Sequence, residues 1–348
     1  GTGIAVDASG QISVAGIASG IVNFDSISLT NAGGFLASYD ASGNAVKVKR
    51  TGASGLKRVA LDASANRYVT GPLVSKFDSS DALVWIKDQA GADGTTLSGD
   101  IAADASGQNY VAGQLAGTLT TFGGVPLTNV FGADLILAKN DSQGELIWVR
   151  QAPRSVNTTV NLSGERPPPI AIGLDSQSNS YVAGAFSGEA IFGEFTLNSS
   201  GINDLMVAKF DPEGNVVWAR RAGGAAENGS ETWPIDLGVD ADGNVYVAGF
   251  SAGSAAFDET TLTGPGLFLA KFDSNGDVSW VRQSDPGEEG GFLSSPSGLT
   301  VDSSGNSFVT GTVFGSVRLG ALTVTQPVGT AAVFLAKCDP NGNFLWIQ

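Results

Sequence analysis

Eight carboxylates and one tryptophan stand in four dissimilar segments of the chain: Asp93 and Asp100 in QAGADGTTLSGD (89–100), Glu165 in APRSVNTTVNLSGERPPP (152–169), Glu227, Glu231 and Trp233 in GGAAENGSETWP (223–234), and Asp285, Glu288 and Glu289 in QSDPGEEGGFLSSPS (283–297). Carboxylates accept hydrogen bonds from sugar hydroxyls and ligate hard cations, while an aromatic face supplies apolar contact, so the set suits a carbohydrate or a cation. The plainer reading is a solvated acidic rim. DADGN (240–244), DSNGD (273–277) and DPNGN (339–343) resemble the start of a calcium loop, but none continues with the full oxygen-ligand spacing and a downstream glutamate. No cofactor is therefore expected, with calcium as the second reading.

Composition narrows the chemistry. The 348 residues contain no histidine, which removes the commonest general base and the commonest transition-metal ligand. A lone cysteine, Cys338, excludes an internal disulfide and any paired-cysteine zinc site, so neither metal ligands nor catalytic residues are assigned. A net charge of −15 repels phosphate backbones and anionic lipid, which argues against nucleic acid as a partner. No apolar run approaches the length of a membrane span, so no direct membrane insertion is expected. The chain opens at Gly1 and its only methionine is Met206, which reads as a processed terminus from which an export signal is gone.

Two alternating phrases must position these segments. The first runs from GIAVDASGQISVAG (3–16) to LTVDSSGNSFVTG (299–311), with Asp7, Asp62, Asp104, Asp175, Asp240 and Asp302 each followed nine residues later by glycine. The second, KFDPEGNVVWARR (209–221) and its relatives, is anchored on Asp40, Asp78, Asp141, Asp211, Asp273 and Asp339. Asp at the first position of a tight turn caps the backbone, and glycine at the fourth takes positive φ, so each phrase reads as a β-hairpin. Glycine fills that fourth position in nine of twelve turns, the exceptions being Ala65, Asp81 and Ser178. Six four-stranded antiparallel repeats (about 1–50, 55–88, 99–151, 170–221, 236–282 and 298–348) predict an all-β fold, a six-bladed β-propeller spanning 1–348 as a single domain.

Repetition also assigns roles. Tryptophan stands seven residues beyond the second aspartate in five of six repeats (Trp85, Trp148, Trp218, Trp280 and Trp346), with Lys47 in the first. One position repeated five times suits packing between blades better than a sugar platform. Tyr68, Tyr110, Tyr181, Tyr246 and Phe308 read as blade packing too, and Cys338, in the slot of Phe77, Phe210, Phe272 and Tyr39, as a buried inert thiol. Lys76, Lys139, Lys209, Lys271 and Lys337 read as solubilising charges that discourage edge pairing. Naming the strands A to D, the A–B and C–D turns fall at one end of each blade and the variable B–C and D–A connections at the other, where function is expected. Five B–C connections carry an extra F-x-x-x-x-L-type hairpin, and the second repeat omits it. That omission leaves a notch, read first as a degenerate copy and second as a place for a partner.

The pairing of a G-I-A-V-D-x-x-G-N-x-Y-V-A-G phrase with a later F-L-A-K-F-D-x-x-G-N-x-x-W phrase resembles the bacterial surface repeat called the SBBP β-propeller repeat and, more distantly, the NHL repeat. The likeness covers nearly the whole chain, best over 170–220 and 236–282. It implies an exported, extracellular or cell-surface propeller and carries no catalytic residues across. Quinoprotein propellers share the Asp-to-Trp spacing but typically have eight blades and a vicinal cysteine pair. The expected function is a non-catalytic scaffold or recognition module that binds a glycan, a protein or another copy of itself. The alternative is a metal-assisted lactonase or lyase, whose carboxylates would project from the A strands; those strands read as apolar until the turn.

Overall fold

The computed structural model describes residues 2–7, 9–30, 33–51, 56–71, 73–88, 96–115, 119–130, 134–155, 170–224, 230–286, 292–327 and 330–348. Every element among them is a strand. The fold is a six-bladed β-propeller, and the chain divides into two compact units, Gly1–Gln151 with blades one to three and Ala152–Gln348 with blades four to six. Each blade is antiparallel in the order A-B-C-D; blade five, for example, is Thr232–Val239, Val245–Ala252, Pro265–Phe272 and Val278–Pro286.

All twelve predicted turns form. In each, the amide of the fourth residue donates to the aspartate carbonyl, as Gly276 does to Asp273 at 2.9 Å. The aspartate Oδ1 accepts the amides two and four residues on, as Asp240 does from Asp242 at 3.0 Å and Asn244 at 2.9 Å. The fourth position has φ between 57° and 85° in every copy, including Ala65, Asp81 and Ser178. The first aspartates of the three calcium-like segments, Asp240, Asp273 and Asp339, thus each accept the amides of their own turn.

Within each unit the core is blade against blade. In the first, Ala15 and Leu36 of blade one meet Val59, Val69 and Phe77 of blade two. In the second, Leu205, Val207 and Trp218 of blade four share a cluster with Leu237, Val245 and Phe272 of blade five, and Leu267 and Leu269 of blade five join Leu299 and Cys338 of blade six. Burying such side chains stabilises by about 1.5–3 kcal/mol each. Cys338 is fully buried, and burial pushes its thiol up to about 12.

The extra hairpins form where expected: Val22–Phe24 with Ile27–Leu29, Leu119–Phe122 with Val125–Thr128, the end of Ser180–Phe192 with Phe195–Asn198, Ala255–Phe257 with Thr260–Leu262, and Ser316–Leu319 with Leu322–Thr325. Their apolar residues cover the D strand of their own blade: Phe122 and Leu127 pack with Leu146 and Val149, and Leu319 and Val324 with Phe344 and Ile347. In the second unit the first hairpin strand also pairs with the tail of the preceding D strand, Ala256 with Gly223 and Val317–Leu319 with Ser284–Pro286. An edge strand that could recruit foreign chains is covered by this device. Blade two has no such hairpin; only residues 71–73 separate its B and C strands.

Candidate functional site

The repeated aromatic and charged residues build a latch between blades. In blade four the Tyr181 hydroxyl donates to Asp175 Oδ2 at 2.9 Å, and Lys209 lies 5.1 Å from the Tyr181 ring and 4.0 Å from the same carboxylate oxygen. Trp218, 4% exposed, donates from its indole nitrogen to the Ser274 carbonyl of blade five at 3.1 Å. Blades two and five repeat the pattern, with Trp85 on Ser142 and Trp280 on Pro340. Burial and the aspartate beside it push the Tyr246 phenol above its ordinary range.

The repeated lysines correct one expectation. Lys76, Lys139, Lys209, Lys271 and Lys337 each sit 4.9–5.1 Å from the ring centroid of the repeat's Tyr or Phe, and Lys76 and Lys139 are buried. Their apolar stems and charged heads belong to the latch, where the ring face contacts each ammonium and a carboxylate lies 3.8–4.0 Å from those of Lys76, Lys209 and Lys271. Solvation by water is not their main environment.

A groove of about 600 Å³ opens beside one latch, at the turn end of blades four and five. Asp175 and Gln177 come from an A–B turn, Asp242 from the next, Ser274 and Asn275 from a C–D turn, and Trp218 and Arg220 from the D strand. Arg220 stays in place by donating to the Asn275 carbonyl at 3.0 Å while its guanidinium lies 5.8 Å from the Trp218 ring. Phe195, at the tip of blade four's extra hairpin, supplies a half-buried aromatic wall. The other four hairpins carry Ile27, Val125, Thr260 and Leu322 at that position, so this aromatic is specific to the groove. Planar amides, carboxylates and a guanidinium around one ring can hydrogen-bond a polyhydroxylated ligand and contact its apolar face.

At the loop end, the candidates of the sequence separate. Asp93, Glu165, Glu227, Glu288 and Glu289 lie outside the described residues. Asp100 is buried, accepts the Ile101 amide at 2.8 Å and lies 3.5 Å from Arg58 of blade two. Trp233 lies against Phe250 with ring centroids 5.5 Å apart, and Asp285 is exposed and paired with Arg318 at 3.4 Å. Glu231 is 1% exposed, and its Oε1 has no hydrogen-bond partner. Next to Asn203, which bridges to Glu231, Asp204 is fully buried but held by Arg221 Nε at 2.8 Å and by the Ser200 amide at 2.7 Å. A Cβ on Gly223 would lie 2.1 Å from Asp204 Oδ1, which explains why the GG pair opens this connection.

Burial raises the pKa of Glu231 above its ordinary 4.5. The folded protein then binds this proton more tightly than the unfolded chain does, so stability falls as pH rises from about 4.5 toward the raised value. Glu231→Gln is expected to unfold at higher urea than the parent at pH 8 and at the same urea at pH 4, measured by fluorescence.

The A strands of blades three, five and six begin earlier than their repeat phrase, at Thr96, Thr232 and Phe292, and each bends at a β-bulge. They are therefore not apolar throughout: Asp236 stands on one, accepting the Leu299 amide of blade six at 2.9 Å. Neither Asp236 nor Arg58 was a sequence candidate, and neither was Phe195; the off-pattern residue at a repeated position was the available signal. Among the described residues no group of three or more His, Cys, Asp or Glu side chains is placed to hold a metal ion.

No family model matches the chain, and no curated protein matches it. Solved structures do, 149 chains in all. The Dos1 propeller is similar at 11% identity and a TM-score of 0.48, over 99% of this chain and 83% of that one. A quinohemoprotein alcohol dehydrogenase from Comamonas testosteroni is similar at 11% identity and a TM-score of 0.42, over 95% of this chain and 60% of that one. A gluconolactonase from Xanthomonas campestris is similar at 14% identity and a TM-score of 0.44, over 79% of this chain and 75% of that one.

Proposed function

We propose that the chain is an exported, cell-surface recognition module of the SBBP kind, non-catalytic, that binds a glycan, a protein or another copy of itself. The observation that supports this reading most is the groove between blades four and five, polar on most sides and walled by the off-pattern Phe195. A neutral or cationic saccharide suits it, because the net charge of −15 disfavours anionic ligands. The repeated Trp and Tyr residues are spent on holding blades together, which leaves recognition to positions where one repeat differs from the others.

A glycan array followed by titration calorimetry tests the reading. The protein is expected to retain at least one glycan, and Phe195→Ala or Gln177→Ala to weaken it at least tenfold with the unfolding midpoint unchanged. Binding insensitive to both substitutions removes the groove from the account. A monomer that retains no glycan and no surface protein overturns the module itself.

A further inference from the structure

We propose that the bare outer face of blade two is a docking site for a β-hairpin of another protein, one presenting an aromatic and an aliphatic side chain five residues apart. The inference goes beyond the groove, shares no residue with it, and stays within the first unit.

Its basis is a comparison of equivalent positions. In the D strand, the residues two before and one after the repeat tryptophan position are Leu146 and Val149 in blade three, Val216 and Ala219 in blade four, Val278 and Val281 in blade five, and Phe344 and Ile347 in blade six. A bulge at the residue between puts both on one face of the strand, opposite the tryptophan. In all four blades these residues are half-buried or buried. Clusters in blades three, five and six show the cover directly: the Phe and Leu of the extra hairpin, or Leu319 and Val324 in blade six.

Among the described residues, blade two keeps the apolar pair and has no cover over it. Leu83 and Ile86 stand at these two positions, a bulge again lies between Leu83 and Trp85, and the two are 52% and 44% exposed. A strand that had merely lost its hairpin would be expected to turn polar there. The retained Leu and Ile on an edge strand instead form half of an interface that the other blades complete internally. The missing half is therefore defined by them: a two-stranded segment that lays one ring and one branched aliphatic side chain on Leu83 and Ile86.

The test uses the full chain and a synthetic hairpin of residues 119–128, LTTFGGVPLT, closed by an added terminal disulfide. Fluorescence anisotropy is expected to show saturable binding. Leu83→Asp and Ile86→Asp should each weaken it at least tenfold while the unfolding midpoint stays put, because both side chains are already exposed. A peptide with Phe122→Ser and Leu127→Ser should not bind. Absence of binding by the parent hairpin, or binding indifferent to Leu83 and Ile86, overturns the proposal. So does a chain that sediments as a dimer which either Asp variant dissociates, since the face would then belong to a second copy.

Discussion

Trp218→Ala is expected to lower stability by about 3–5 kcal/mol, the usual cost of emptying a buried indole site. The ring is 4% exposed, bonds the Ser274 carbonyl, and lies against the backbone of Gly276, where an added Cβ would stand 2.7 Å from the ring. Gly276→Ala should accordingly cost about 2–4 kcal/mol, the sum of left-handed backbone strain at φ +85° and overpacking against the indole. Gly43 provides the control. It has φ +83° with nothing within 4 Å of a would-be Cβ, so Gly43→Ala should cost only about 1–2 kcal/mol. Urea unfolding of the three variants measures the difference.

The second large effect belongs to the one junction where the latch is rewritten. Asp81 takes the turn position that is Gly144, Gly276 or Gly342 elsewhere, and the residue it faces in the preceding blade is Lys47 in place of tryptophan, 3.1 Å away. Arg67, buried with it, lies 2.7 Å from the same carboxylate and donates to Ser13 and Ser38 of blade one. Asp81→Asn tolerates the positive φ but strips the charge, leaving Arg67 buried without its counter-ion, and should cost about 3–5 kcal/mol. The triple change Lys47→Trp, Asp81→Gly and Arg67→Ser restores the common pattern and is expected to recover all but about 1 kcal/mol of that loss. Recovery no better than the single variant would mean that tryptophan and glycine do not form the seat proposed here.

This exchange also explains which features the sequence displayed. The turns were legible because Asp and its glycine act within five residues, and all twelve formed, even at Ala65, Asp81 and Ser178. The lysines were misread because their partners are set by strand register: Lys209 sits opposite Tyr181 on one side and Trp218 on the other. The irregular turns of blade two are explained only by comparing successive repeats. Gly107, Gly144, Gly243, Gly276, Gly305 and Gly342 make room for the previous blade's aromatic group, as Gly107 does for the Tyr68 hydroxyl. Blade one has Ser13 and Lys47 at the Tyr and Trp positions, so Ala65 and Asp81 meet no ring.

The candidate site was less legible, for physical reasons. Carboxylate spacing marked the loop end but could not distinguish Asp100, paired with Arg58, from Glu231, whose buried Oε1 has no hydrogen-bond partner among the described residues. Phe195 enters the groove because a hairpin folds back over its own D strand, a non-local consequence that no spacing rule within the repeat contains.

The double-mutant cycle between Trp218 and Gly276 tests the central claim, that an aromatic group of one blade is seated on a turn glycine of the next. With Trp218 already replaced by alanine, the cost of Gly276→Ala is predicted to fall to the about 1–2 kcal/mol expected at Gly43, because only backbone strain remains. Equal costs in both backgrounds would contradict the claim.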